Sequence, residues 1–105
     1  MESNSIFYLE VNKIKPNPYQ PRRDFNEEYL KELAESIKEY GILEPLIVTR
    51  IENQTEFGTD VNYQLLAGER RLMAAKLVGL STVPALIKEN VEEREKLEIG
   101  LIENI

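Results

Sequence analysis

At Gly68 the chain changes hydrophobic period without a linker. Val61-Asn62-Tyr63-Gln64-Leu65-Leu66-Ala67 has the β-branched, aromatic and apolar residues of a strand, while Leu72, Ala75 and Leu77 beyond it recur at helical spacing. The junction therefore argues for mixed α and β structure. Gly79 suits the helix end, and Thr82 to Lys88 predicts a further strand.

The rest of the chain extends this mixture. Residues 6–14 are rich in β-formers, with Leu9 and Val11 alternating with polar neighbours, and predict one strand. Three prolines within residues 16–21 exclude helix interior and predict a stiff extended loop. Asn26 is a good N-cap, and Glu27 and Glu28 suit the positive end of a helix dipole. Leu30, Leu33, Ala34, Ile37 and Tyr40 keep helical spacing up to Gly41, so residues 27–40 predict a helix. Pro45 opens a buried strand over 46–49. Residues 52–60 read as a polar turn, making 46–67 a hairpin with a long loop. Asn90 and Glu93 have capping-box spacing before a helix that carries Leu97, Leu101, Ile102 and Ile105 on one face. That helix would reach Ile105 uncapped, which predicts that the sequence continues in a longer protein. The expected fold is α+β, a small domain whose mixed sheet of about four strands is flanked by about three helices.

Composition narrows the chemistry. A length of 105 residues suits one domain with a single modest core. No apolar stretch is long enough for a membrane span, and residues 1–5 lack the regions of a secretory signal, so the expected address is cytoplasmic. The absence of both Cys and His rules out Ser–His and Cys–His catalysis and ordinary zinc sites. Any metal would be a hard ion such as Mg²⁺ on carboxylates and amides. A net charge of −6 predicts that the domain as a whole is repelled by nucleic acid, although arginines pair at Arg22-Arg23 and Arg70-Arg71.

Four constellations could carry chemistry. Ala67-Gly68-Glu69-Arg70-Arg71 places a glycine and two guanidinium groups at a helix N-terminus, a natural anion site; the alternative is a helix start with solvated charges. Gln20-Pro21-Arg22 could clamp a polyanion, because proline presets the directions of the flanking side chains. Gly41-Ile42-Leu43-Glu44-Pro45 is either plain turn chemistry or a segment whose backbone reads a base edge. Glu103 beside Asn104 could ligate Mg²⁺, or both could face solvent.

Taken in this order, the four motifs resemble the N-terminal domain of ParB/Spo0J-type chromosome and plasmid partition proteins over residues 14–105. Residues 16–22 with Phe25 resemble its first box, Gly41 to Pro45 its Gly-x-x-Gln-Pro turn, and Gly68 to Arg71 with Ala74-Ala75 its GERR box. Leu101-Ile102-Glu103-Asn104 resembles the start of its Glu-Asn-x-x-Arg motif. This sequence departs from the pattern at Glu44, where Gln is usual, and at Met73, where a basic residue is frequent; the motif's final Arg lies beyond residue 105.

The resemblance implies a ParB/sulfiredoxin-like fold that binds CTP or CDP with Mg²⁺ and hydrolyses CTP slowly. It implies self-association of N-terminal domains into a clamp around DNA, with DNA read by a downstream helix-turn-helix domain. A ParA-type ATPase is a further implied partner, and the implied address is nucleoid-associated. Ala67 and Gly68 to Arg71 would hold phosphates, and Gly41, Ile42, Leu43, Glu44 and Pro45 would border the cytosine. Gln20 and Arg22 would couple the triphosphate to closure, and Glu103 and Asn104 would approach the metal. Glu69 would support hydrolysis or orient the arginines. Rival readings are a kinase or nuclease of the same fold, and a protein-interaction module. A sulfiredoxin activity is excluded, since its Cys position holds Glu69 and the chain has no Cys.

Overall fold

Among the described residues, the apolar runs assemble into one five-stranded mixed sheet backed by two stacked helices. In the computed structural model, residues 5–17, 26–89 and 99 are described. The strands are β1 (Ile6–Glu10), β2 (Ile14–Lys15), β3 (Leu46–Thr55), β4 (Gly58–Ala67) and β5 (Thr82–Ile87). Helix α1 spans Glu27–Tyr40 and α2 spans Glu69–Leu77. The sheet order is β1-β5-β3-β4-β2. β1 is antiparallel to β5, β5 parallel to β3, β3 antiparallel to β4, and β4 parallel to β2.

The predicted strand over 6–14 is two strands on opposite edges of the sheet. A 3-10 turn at Val11–Lys13 redirects the chain, and Val11 N–H donates to Ser81 O at 3.0 Å. Leu9, Val11 and Ile14 stay buried through the change of direction. The hairpin also differs from expectation. β3 and β4 pair as far as Thr55 and Gly58, so Glu56-Phe57 is a two-residue turn rather than the apex of a long loop. Its outer half is exposed on both faces, which removes the alternation that marks a half-buried strand. Thr55 secures the turn: its Oγ1 donates to Gly58 O at 2.8 Å and accepts from Phe57 N–H at 3.2 Å.

α1 has the predicted bounds, and the physical reason is local. Asn26 Oδ1 accepts from Tyr29 N–H at 3.1 Å, capping the first turn. Gly41, at φ 76°, ends the helix and donates its N–H to Ile37 O at 2.8 Å. Leu30, Ala34 and Ile37 are buried, whereas Tyr40 is exposed and leaves the apolar face. In α2 the buried positions are Leu72, Ala74 and Ala75, with Leu77 exposed.

The core has two layers. Leu46, Val48, Leu65, Val83 and Ala85 of the sheet pack with Leu72 and Ala75 of α2. Ala74, on another side of α2, packs with Ala34 and Ile37 of α1. Sheet, α2 and α1 are therefore stacked in that order, and half-buried Ile42 touches both clusters. The small side chains of Ala74 and Ala75, both fully buried, let α2 sit between its neighbours. The predicted helix beyond residue 90 lies outside the described residues except for Ile99, which is helical.

Candidate functional site

β4 ends on buried Ala67, and Gly68 turns the chain into α2 with φ 104° and ψ 29°, a conformation that a residue with a Cβ adopts only under strain. A Cβ added at Gly68 would also stand 3.0 Å from Leu46 Cγ and 3.3 Å from Arg71 Nη2. The glycine is thus required from inside the protein, by its backbone and by what packs over it. The first hydrogen bond within α2 runs from Leu72 N–H to Gly68 O at 2.9 Å. The N–H groups of this first turn lie at the positive end of its dipole.

The two arginines that follow diverge. Arg71 turns back onto the segment that leads into β3: its Nη1 donates to Glu44 O at 2.9 Å and to Pro45 O at 3.0 Å. The Glu44 carboxylate is 3.8 Å from the same nitrogen, but that side chain is 82% exposed against 20% for Arg71, so the ion pair contributes little. The carbonyl bonds dominate. Arg70 instead reaches the start of α1, where its Cζ lies 5.1 Å from the centroid of the Tyr29 ring, within cation–π range. Glu69 is half-buried, with Oε2 shielded from solvent.

Three pieces therefore meet: the β4–α2 junction, the Gly41–Pro45 turn and the first turn of α1. The sequence profile of the ParB N-terminal domain matches residues 1–105. The chain belongs to this family. A probable chromosome-partitioning protein ParB of Helicobacter pylori is 44% identical to this ParB N-terminal domain over 103 residues, covering 98% of the chain and 32% of the relative. The chain thus spans about a third of that protein's length. The C-terminally truncated chromosome-partitioning protein ParB of Caulobacter crescentus, solved in complex with CTP-γ-S, matches with a TM-score of 0.80 and 40% identity. That match covers 97% of this chain and 53% of the other. Sulfiredoxin of Arabidopsis thaliana shares the fold at a TM-score of 0.69 and 27% identity, over 92% of this chain and 97% of its own.

Of the site residues expected from the sequence, the ParB N-terminal domain brings together Gly68, Arg71, Glu44 and Pro45 through direct contacts. Gly41, Leu43 and Glu44 are exposed, while Ile42 is half-buried beneath them. The carbonyls of Glu44 and Pro45 are engaged by Arg71, so the backbone of this turn serves the fold as well as any ligand. Gln20, Arg22, Glu103 and Asn104 lie outside the described residues. Among the described residues no cluster of three or more acidic side chains could hold a metal, and no helix is long and apolar enough to cross a membrane. A shallow hollow lined by residues 10–12, 76 and 79–82 lies at the far end of α2 and is separate from this site.

Two residues escape a reading of the sequence. Leu46 sets the limit on Gly68, and Tyr29 carries Arg70. The strand pattern marks Leu46 as core, but nothing in the spacing ties it to Gly68. Tyr29 stands at an exposed helix position, where an aromatic has no local signature.

Proposed function

We propose that this domain binds CTP with Mg²⁺ across Gly68–Arg71 and the Gly41–Pro45 turn, as the nucleotide-binding part of a chromosome-partitioning protein. The observation that carries the reading is the left-handed Gly68 junction, joined by Arg71 to the Gly41–Pro45 turn, in a chain 40% identical to a ParB solved with CTP-γ-S. The residues present suit a triphosphate. The start of α2 offers a positive dipole end, and Arg70 adds a guanidinium beside it. Arg71 frames the site by holding the Glu44 and Pro45 carbonyls, and Gly41 to Leu43 would border the cytosine. Glu69, next to the phosphate turn, would support slow hydrolysis or orient its neighbours. Mg²⁺, when bound, would screen the phosphate charge; Glu103 and Asn104 are the proposed ligands.

In the full-length protein, nucleotide binding would drive two such domains together into a clamp around DNA, with Gln20 and Arg22 coupling the triphosphate to closure. DNA reading would fall to a downstream helix-turn-helix domain, and a ParA-type ATPase would be a partner. A net charge of −6 accords with a domain that surrounds DNA without gripping it. Titration calorimetry with CTP, CDP, ATP and GTP in MgCl₂ tests the reading. Binding of CTP and CDP with clear preference over ATP and GTP is expected. Equal or tighter ATP binding would overturn the cytosine assignment and point to a kinase.

A further inference from the structure

We infer that Tyr29 is a positioning residue for Arg70, holding its guanidinium beside the start of α2 for a phosphate of the bound nucleotide. The inference rests on the nucleotide-binding reading above and adds to it a residue from outside the four motifs. Three links carry it. Asn26 Oδ1 accepts the Tyr29 N–H at 3.1 Å, which fixes the first turn of α1 and hence the origin of the Tyr29 side chain. α1 is seated on α2 through Ala34, Ile37 and Ala74, so that its position relative to α2 is set by packing. The Arg70 Cζ then lies 5.1 Å from the Tyr29 ring centroid, where the ring face attracts a cation.

Chemically, stacking is a suitable way to hold such an arginine. A guanidinium stacked on a ring is steadied through its face, while its N–H donors project outward in its own plane. A carboxylate partner would occupy those donors and neutralise the charge; an aromatic partner does neither. Tyr29 therefore restricts Arg70 while leaving in-plane donors suited to bidentate phosphate contact. Removing the ring would let the side chain recover rotamers that must be lost again on binding.

The test combines two measurements on the parent chain, Tyr29→Leu and Tyr29→Phe. In ligand-free protein, NMR should show the Arg70 side-chain protons displaced by the ring current in the parent and in Tyr29→Phe, and back at ordinary shifts in Tyr29→Leu. Calorimetry with Mg-CTP should show Tyr29→Leu binding about two- to fivefold more weakly, with Tyr29→Phe restoring parental affinity, the range expected for an exposed cation–π contact. Tyr29→Leu should melt within a few degrees of the parent, as should Arg70→Ala, because it loses the same ring contact but the residue is 47% exposed and outside both core clusters. Unshifted Arg70 resonances in the parent overturn the inference, as does Tyr29→Leu binding CTP as tightly as the parent; in both cases the nucleotide-binding reading survives. A parent chain that binds no CTP overturns the functional reading and the role of Tyr29 with it, even where the resonances are shifted.

Discussion

Replacing Arg71 by alanine should destabilise the fold as well as weaken the site, and the structure gives the size of the effect. The side chain donates from Nη1 to two backbone carbonyls, Glu44 O at 2.9 Å and Pro45 O at 3.0 Å. A hydrogen bond from a charged donor contributes about 1.5–3 kcal/mol where the acceptor would otherwise be stranded. Glu44 is exposed, so water can replace the arginine at its carbonyl, and that bond adds little. Pro45 is half-buried, and its carbonyl is harder to resatisfy. The Glu44 carboxylate, at 3.8 Å and mostly in solvent, adds at most tenths of a kcal/mol by the usual worth of exposed ion pairs. The sum is about 2 kcal/mol, which for a domain of this size lowers Tm by on the order of 10 °C. Thermal unfolding followed by circular dichroism, run beside Arg70→Ala, measures it. Arg70→Ala should lower Tm by only a few degrees, since its contact with Tyr29 is worth about 0.5–1 kcal/mol. Arg71→Lys should fall between parent and alanine, because an ammonium keeps the charge without the planar fork. Equal melting of Arg70→Ala and Arg71→Ala would refute the division of roles, and with it the claim that Arg71 holds the turn.

Gly68→Ala should lower stability by about 1–3 kcal/mol from its backbone alone, with more from the 3.0 Å approach to Leu46 Cγ, and should abolish CTP binding. Melting and calorimetry on one preparation check both halves, and a variant as stable as the parent would contradict the geometry at Gly68. Asn26→Ala removes the cap on Tyr29 N–H and should cost about 0.5–2 kcal/mol in chemical denaturation, with the m-value unchanged.

What the sequence discloses follows from the range of the interactions involved. α1 is legible to its ends because Asn26, the Leu30–Ile37 spacing and Gly41 all act within a few residues of one another. The β4–Gly68–α2 junction is legible for the same reason, since period and punctuation change together at one residue. Residues 6–14 read as a single strand because their β-formers continue, whereas the division into two depends on which sheet edge each half meets. That is decided by β5 and β4, far along the chain. The β3–β4 arm has the sequence of a loop because Glu52, Asn53, Gln54 and Asp60 are exposed, and the arm is held by its backbone ladder and by surface contacts such as Arg50–Glu52 rather than by a buried apolar face. The site divides similarly. The motif at Gly68–Arg71 is visible as residue types, but the partners of its arginines lie 26 and 27 residues away for Arg71 and on α1 for Arg70. Neighbouring residues of one type look equivalent in the sequence, and the contacts that separate them are tertiary.

That separation bears on how an anion would be held. Arg70 and Arg71 are adjacent, yet one reaches the first turn of α1 and the other the segment that follows its last. α1 is thus tied to the β4–α2 junction on both flanks. An anion that drew Arg71 off Glu44 and Pro45 would gain one charge-assisted contact and lose two, leaving a half-buried carbonyl to be resatisfied, an exchange that comes out near zero or unfavourable. Among the described residues Arg70 holds only the Tyr29 ring contact, and an anion that engaged its N–H donors need not displace that contact. The lower-energy arrangement keeps Arg71 on the turn and recruits Arg70. On the proposed function, the GERR sequence would contain two roles side by side: Arg71, which holds the Glu44 and Pro45 carbonyls, would frame the base, and Arg70 would present charge to the phosphates. Because Gly68 must stay small for Leu46, a fully buried core residue, and left-handed for the chain, the junction that forms the candidate site also abuts the core beneath it.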